Sequence, residues 1–545
     1  MAKRLSPHLT LESSVTRTAP GDAERNGATR ASETSPRSGF DWRRIVYTTL
    51  ASRALDDIEE ATNKNRNNVP REHVVLYQFS ARGHDMAQII LGSLINGQRD
   101  AVGAYYRSRP VLLALGLSLE DALASPLGRS GGFSDGRDIG VVCNLPNRDG
   151  PIVIPMSGDV GSQYTPSAGW AQAITYHRDT LKDASYNNCI SVALGGDASV
   201  ATNGFWSALT MATTLKLPML FYIEDNDLGI SVRGDMQTPG GNIAENLASF
   251  KNLLIRDGDG TDPHAASGLL QEGVAHVRSG AGPALVHLTV PRLSSHSGPD
   301  NQKGYRTADE IAADELRDPL LKLRDYLVPA ELSELEWQRV GDEVAHDVNL
   351  ALDAARARPV ANAAKIAQFV YADDSDGIAD ALGGLTRDER RALGGTEVVE
   401  EGGDLLRFPE AVRRTMRHEL QINPKVVVFG EDVGRKGGVH LVTEGLQKQF
   451  GSDRVFDTSL SEEGIIGRAV ALAISGLVPV AEIQFRKYAD PATEQLNNCG
   501  TMRWRTANRF AAPIVVRMPG GFGKDVGDPW HSLSDEVRFA HAYGW

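Results

Sequence analysis

The sequence predicts an α/β protein built on two parallel sheets with helices on both faces. Residues 191–194 (SVAL) and 218–223 (PMLFYI) are short apolar runs that end at polar or glycine residues. Between them Phe205, Ala208, Leu209, Ala212 and Leu215 recur at helical spacing. Strand, helix, strand in this rhythm reads as a right-handed crossover in a parallel sheet. The rhythm returns after Leu405, where a helix (FPEAVRRTMRHEL) leads into strand KVVVFGED, helix EGLQKQF, strand RVFDTS and helix GIIGRAVALAISG. VPVAEIQF and APIVVRMPG continue that second sheet.

A chain of 545 residues exceeds the roughly 250–300 that one hydrophobic core organises, so several domains are expected. Residues 1–40 are rich in Ser, Thr, Arg, Pro and Gly, have no apolar periodicity, and read as a disordered tail. The tail lacks the apolar stretch of a secretory signal. Glu12, Asp22, Glu24 and Glu33 argue against a transit peptide, so a cytoplasmic location is expected. Residues 41–370 form the first α/β unit. Its last part, from about 309, is helical and charged, with Leu316, Leu320, Leu323 and Leu327 suited to a closing bundle or a dimer element. Residues 371–404 are glycine-rich and acidic and read as a linker, and residues 405–545 form the second unit.

Composition sets limits on function. Hydrophobic residues make up 41% and charged residues 23%, an ordinary soluble balance. A net charge of −13 argues against a nucleic-acid partner held by bulk charge. Cys143, Cys189 and Cys499 lie far apart, which excludes a disulfide framework or cysteine zinc site and suits a reducing compartment. No run of about 18 uncharged apolar residues is present, so no membrane span is expected. The nearest candidate, residues 469–481, is interrupted by Gly476 and Pro479 and reads as a buried helix leading into a strand.

The first candidate site lies where the first two strands end. Gly196-Asp197 follows one and Asp225-Asn226 the other, and Asp197 precedes Asn226 by 29 residues. A strand–helix–strand unit brings both oxygen ligands to the carboxyl edge of one sheet, where open α/β folds bind ligands. A carboxylate, an amide oxygen and a loop carbonyl make part of an octahedral magnesium shell, the rest coming from phosphates and water. The start of the intervening helix, at the same edge, favours an anion. Each pair taken alone is more often simple turn chemistry than a ligand set.

The whole string GGDASVATNGFWSALTMATTLKLPMLFYIEDNDLGIS resembles the thiamine diphosphate motif in the alpha chain of the 2-oxo acid dehydrogenase family. The resemblance implies that Asp197, Asn226 and the carbonyl of Leu228 hold Mg2+, with Gly196 and Ala198 against the cofactor. Ala198 stands where the family has Gly, and Thr202 where it often has Glu. Flanking strings extend the likeness. ARGHDMAQ is similar to the family's GHEAAQ turn. In YYR, Tyr106 and Arg107 match diphosphate contacts, and an arginine fork suits phosphate oxygens. GSQYTPSAGWA, with Gln163, resembles the helix lining the cofactor cleft, whereas GRDIGVVCN has Val142 where relatives often carry His. HSGPDNQKGYR follows the family's HS(x)2D(x)4YR loop, which places His296 at the diphosphate and substrate side and gives Ser297 the position of a regulatory phosphorylation site in some relatives.

RVFDTSLSEEGIIGRAVALA resembles the beta chain of the same family, whose activating glutamate corresponds to Glu462. There the carboxyl faces a pyrimidine ring nitrogen and shares its proton. The residue-level alternative is that Glu462 caps the apolar helix that follows, since acids favour helix starts. Tyr488, 26 residues on, matches an aromatic that packs on the pyrimidine in branched-chain members. DPWHSLSDEVRFAHAYG places His531 in the active site by the same likeness, for proton transfer near neutral pH; a buried structural histidine is the alternative.

The likeness spans residues 41–370 as an alpha-like part and 405–545 as a beta-like part, both with the transketolase-like, thiamine diphosphate-binding fold. It implies oxidative decarboxylation of a 2-oxo acid, with acyl transfer to a lipoylated acyltransferase of a multienzyme complex, by a homodimer. AEIQF(x)2Y favours branched-chain substrates of the 3-methyl-2-oxobutanoate type; pyruvate or acetoin dehydrogenase, a transketolase-like enzyme and a non-catalytic assembly subunit are the alternatives. Relatives carry a further domain beyond the His531 region. The sequence stops at Trp545, so the beta part is expected to be truncated.

Overall fold

The computed structural model describes residues 39–64, 67–68, 70, 73–75, 77–138, 144–372, 381–393, 403, 405–522 and 527–545. Val142, Cys143, almost all of the N-terminal tail and parts of the linker fall outside these residues.

The first half is built on β1 (Ala101–Gly103), β2 (Ile152–Ile154), β3 (Ser191–Gly196), β4 (Met219–Asp225), β7 (Leu254–Asp259) and β8 (Ala284–Thr289), in spatial order β2-β1-β3-β4-β8-β7. Every pairing in this sheet is parallel. The short strands β5 (Leu228–Gly229) and β6 (Val232–Arg233) form a separate antiparallel ribbon. The second half carries β9 (Val426–Gly430), β10 (Val455–Asp457), β11 (Val478–Glu482) and β12 (Val515–Arg517), all parallel, in order β10-β9-β11-β12. In both sheets the chain steps to one side of its first strand and then to the other. The resulting reversal of strand order is where such sheets form a ligand crevice.

Alternation along the strands gives each sheet two apolar faces. Val192 and Leu194 of β3 join the core beneath α1 (Trp42–Lys64) and α2 (Asp85–Leu94). Ala193 joins the opposite core beneath α3 (Tyr164–Thr175) and α4 (Asn203–Leu215). The long helix α5 (Glu334–Ala357) closes the first core with Val340, Val344 and Val348, one helical turn apart and buried. Leu323 and Leu327 are buried with them, whereas Leu316 is 85% exposed. Of the stretch read as a linker, residues 381–393 pack on the second half: Leu382 bridges to Phe510, and Gly384 N–H donates to Ala473 O at 2.8 Å.

The two halves meet where α3 crosses α6 (Glu462–Ile474). Apolar clusters run across this seam, joining Trp170 and Ile174 to Val470, Ala471 and Ile474, and Ala173 to Ile465, Ile466 and Ala469. Close approach depends on two glycines. A Cβ on Gly169 would lie 2.7 Å from Arg468 O, and one on Gly467 would strike Thr165 Oγ1. Gly169→Val is therefore expected to lower stability by at least about 1–3 kcal/mol through overpacking. Gly268→Ala, where added bulk meets nothing within 4 Å, is expected to raise stability by up to about 1 kcal/mol. Paired urea and thermal unfolding curves check both.

Candidate active site

Asp197 begins a 3-10 turn directly after β3, and Asn226 directly follows β4, so both lie at the carboxyl edge of neighbouring strands. Asp197 is only 7% exposed, and its carboxylate accepts its own backbone N–H and that of Asn226. Burial, followed by the nearby charge of Asp225, pushes its pKa up to about 7 despite those donors. Asp197 Oδ2 and Asn226 Oδ1 are both buried without a hydrogen-bond partner. Two orphaned oxygens at one sheet edge are donors of the type that could hold a hard cation. Among the described residues no group of three or more His, Cys, Asp or Glu side chains forms a metal cage. A cation here would therefore draw its remaining oxygens from a loop carbonyl, a ligand and water.

The orientation of the Asn226 amide has a physical cause. Asn226 Nδ2 lies 3.0 Å from His84 Nε2, while His84 Nδ1 is 3.4 Å from Arg82 O. Burial and the charges of Arg107 and Arg292 hold the His84 pKa well below its usual value, so the ring is neutral. It donates from Nδ1 to the carbonyl and accepts at Nε2 from the amide, which fixes the amide's orientation and leaves Oδ1 as the unpartnered atom. His84 lies in the ARGHDMAQ turn, and sequence reasoning gave it no role. The signal available was a histidine at the start of an apolar helix. His84→Leu is expected to weaken divalent-cation binding about 10–100-fold, as loss of an orienting partner does. Titration with Mn2+ followed by electron paramagnetic resonance measures it.

Beyond β1, Tyr105, Tyr106 and Arg107 form the next wall. Arg107 is 3% exposed and donates to Ser80 O and, at 3.2 Å, to His296 O; its Nη2 also lies 3.5 Å from His296 Nδ1. Burial first, then Arg107 and Arg292, push the His296 pKa down to about 4. The HS loop is closed by Asp300, whose Oδ2 accepts His296 N–H at 2.8 Å and Tyr305 O–H at 2.6 Å. Tyr305 O–H also accepts from Arg292 at 2.8 Å, and Arg306 donates to Arg292 O at 3.1 Å. Ser297 is buried in this loop. Tyr106 stacks near Phe79 and His296, with ring centroids 4.3 and 5.6 Å away. Two buried guanidinium groups beside two neutral histidines leave a local positive surplus suited to phosphate oxygens. Beneath them Glu224 accepts from Tyr105, Tyr222 and Gln88, yet burial still pushes its pKa up to about 8.

Two sequence readings change in detail. Gln163 does not spend its amide on the cleft: Nε2 donates to Leu194 O at 2.8 Å and Oε1 accepts from Gly161 at 3.1 Å, propping the turn before α3 against β3. The start of α4 is not open to a ligand anion either. Thr202 caps it through Phe205 N–H, and Glu463 Oε1 lies 2.8 Å from where a Gly204 Cβ would sit, so a side chain of the second half crowds that helix start.

On the second sheet, Glu431 follows β9, Glu462 opens α6 after β10, and Tyr488 follows β11. The cap of α6 is Ser461, whose Oγ accepts Gly464 N–H at 3.1 Å, so the capping bond does not involve the Glu462 side chain. Glu431, which sequence reasoning missed, is 8% exposed with Oε1 unpartnered. Burial and the charge of Glu462 push its pKa up to about 7. An acidic residue ending an apolar strand (VVVFGED) was the signal. His531 Nδ1 lies 2.8 Å from Asp528 Oδ2, and its Nε2 lies 3.3 Å from Tyr488 O–H, with Phe485 4.6 Å from the imidazole centroid.

Asp197, Asn226, Arg107, Tyr106 and His296 thus belong to the first half, where His296 meets Tyr106 and Arg107, and Glu462, Tyr488 and His531 to the second, where His531 meets Tyr488. Neighbours of these residues meet across the seam. Ser461 and Ser207 hydroxyls are 2.7 Å apart, and Gln495 donates to Ser162 O at 2.9 Å.

Fold and geometry together give one parallel sheet whose edge carries two orphaned oxygens beside buried arginines, and a second parallel sheet that carries a carboxyl pair and a histidine–tyrosine contact. The family model described as "Dehydrogenase E1 component" matches residues 54–364, and "Transketolase, pyrimidine binding domain" matches residues 406–545. The chain belongs to the dehydrogenase E1 component family, with the pyrimidine-binding domain carried in the same polypeptide. It is 48% identical over 136 residues to a 2-oxoisovalerate dehydrogenase subunit beta of Pseudomonas aeruginosa, covering 25% of this chain and 39% of that protein. It is 44% identical over 136 residues to a pyruvate dehydrogenase E1 component subunit beta of Acholeplasma laidlawii, covering 25% and 41%. It is 40% identical over 158 residues to a 3-methyl-2-oxobutanoate dehydrogenase subunit beta of Mycobacterium tuberculosis, covering 29% and 44%. The chain spans about two-fifths of the length of these relatives.

Proposed function

We propose that this chain is a thiamine diphosphate-dependent 2-oxo acid dehydrogenase acting on branched-chain substrates of the 3-methyl-2-oxobutanoate type. The observation that carries the reading is the pair of orphaned oxygens, Asp197 Oδ2 and Asn226 Oδ1, beside the cationic wall of Arg107 and Arg292. Donor chemistry of that kind fits Mg2+ bound to a diphosphate. When bound, thiamine diphosphate supplies a carbon nucleophile and an electron sink for decarboxylation.

The protein's own groups have separable tasks in this reading. Asp197, Asn226 and the Leu228 carbonyl hold the cation, with Gly196 and Ala198 against the cofactor. Arg107 and Tyr106 meet the diphosphate, and His296 stands at the substrate side. Glu462 shares a proton with the pyrimidine nitrogen, and Tyr488 packs on that ring. His531, held by Asp528 and facing Tyr488, moves a proton at the substrate. The names of two of the relatives support the branched-chain choice. The same reading has the acyl group passing to a lipoylated acyltransferase, and the chain working as a homodimer in the cytoplasm. No helix among the described residues is long and apolar enough to cross a membrane.

Carbon dioxide release with an artificial electron acceptor tests the proposal. Turnover should require both thiamine diphosphate and Mg2+, with higher kcat/KM for 3-methyl-2-oxobutanoate than for pyruvate. No release from any 2-oxo acid would overturn the enzymatic reading, and a preference for pyruvate would overturn the substrate class.

A further inference from the structure

His287 lies on β8 toward the carboxyl end of the first sheet, beside Ile223 of β4 and Asp257 of β7 in the strand register. Alternation puts it on the same face as Leu285 and Ile223, and the residue is 1% exposed. Its Nδ1 lies 2.8 Å from Asp257 Oδ1, and its Nε2 lies 3.0 Å from Asp225 Oδ2. A carboxylate oxygen only accepts, so satisfying both contacts takes a ring with a proton on each nitrogen. Burial works against that charge, but the hydrogen bonds to Asp225 and then Asp257 outweigh it and hold the His287 pKa above its usual value. Asp257 is braced in turn, its Oδ2 accepting from Asn242 Nδ2 at 2.9 Å.

The bland account is a buried ion pair that only holds three strands together. The other oxygen of Asp225 argues for more. Asp225 Oδ1 accepts Asp227 N–H at 2.8 Å, while the main-chain Asp225 O accepts Val290 N–H at 2.8 Å. The carboxylate therefore spans Asn226: it grips the residue that follows, and His287 grips the carboxylate. Asp227 has φ of 60°, a left-handed conformation uncommon for a residue with a side chain. The bend closes further on, where Gly234 N–H donates to Asp227 O at 3.2 Å. The backbone held in this way carries Asn226 and the Leu228 carbonyl. His84 fixes the Asn226 amide, and the Asp225 clamp fixes the main chain on which that amide is mounted.

We propose that His287, by bridging Asp257 and Asp225, is a positioning residue for the active-site cation: it locks the Asp225 carboxylate and, through it, the backbone from Asn226 to Leu228. The inference rests on the reading of Asp197, Asn226 and Leu228 as the cation's ligands. Positioning and charge have opposite signs here. Removing a positive group beside a cation site favours the cation, whereas releasing the clamp costs affinity.

Mn2+ titration of the full chain with saturating thiamine diphosphate, followed by electron paramagnetic resonance well below each protein's unfolding temperature, tests the inference. His287→Gln keeps one donor for two carboxylates and should weaken Mn2+ binding about threefold; His287→Leu keeps none and should weaken it about tenfold or more. In decarboxylation by His287→Gln, the half-saturating Mg2+ concentration should rise by the same factor, with kcat at saturating Mg2+ within about twofold of wild type. General loss of stability does not produce that split. His287→Leu strands two carboxylates; should it fail to fold, His287→Gln decides alone. Unchanged or tighter Mn2+ binding in His287→Gln, with wild type binding Mn2+, would overturn the positioning role and leave the ion pairs as a brace of the sheet. No Mn2+ binding by wild type would overturn the cation site itself, and this inference with it.

Discussion

Asp197→Asn is expected to make the cofactor-free protein more stable at pH 8 while lowering cofactor affinity at least 100-fold. Both effects come from one carboxylate. In the folded chain its pKa is pushed up from 3.8 to about 7, mainly by burial. Between about pH 4 and pH 7 the folded state therefore keeps a proton that the unfolded chain has released. Stability falls as pH rises through that window, and the full penalty is present above it. A shift of this size corresponds to roughly 4 kcal/mol. Asn removes the charge and the penalty, but it also removes the anionic ligand. Thermal unfolding at pH 5 and pH 8, with and without thiamine diphosphate and Mg2+, separates the two. Wild type should lose more stability than the variant between the two pH values, since Glu224 and Glu431 titrate in both, and wild type alone should regain stability with cofactor. A variant less stable than wild type at pH 8, or one still stabilised by cofactor, would remove Asp197 from the cation site.

The parts of this architecture that were legible in the sequence are those governed by local rules. Strands β3 and β4 begin and end within two residues of the apolar runs SVAL and PMLFYI, because a strand buried on both faces needs an unbroken apolar stretch. Asp197 and Asn226 were legible for the same reason: residues that end adjacent parallel strands must share an edge. Less legible were contacts made by residues distant in sequence. Nothing near His84 announces that it will turn the amide of Asn226, 142 positions away. The VVVFGED string does not say that Glu431 will face Glu462 rather than water. Gln163 shows the same limit from another side. A motif placed it at the cofactor cleft, and nothing local announces that its amide also holds Leu194 O and Gly161 N–H.

Glu462→Gln is expected to lower decarboxylation by at least 1000-fold, about 4 kcal/mol of transition-state stabilisation, while cofactor affinity stays within a few-fold. Gln fills the same volume at the start of α6, where Ser461 supplies the cap, so the helix and the seam should persist. What Gln cannot do is exchange a proton with a ring nitrogen. Glu431 offers an internal control. Its carboxyl is pushed up to about pH 7 partly by the negative charge of Glu462, so removing that charge should bring its titration down toward the ordinary carboxylate range. A carboxyl-carbon NMR titration of Glu431 in the two proteins reads this independently of turnover. A Glu431 titration lowered in Glu462→Gln, alongside lost turnover and retained cofactor, is what a paired acid site requires. Near-normal turnover would instead leave Glu462 as one more acid in the first turn of a helix.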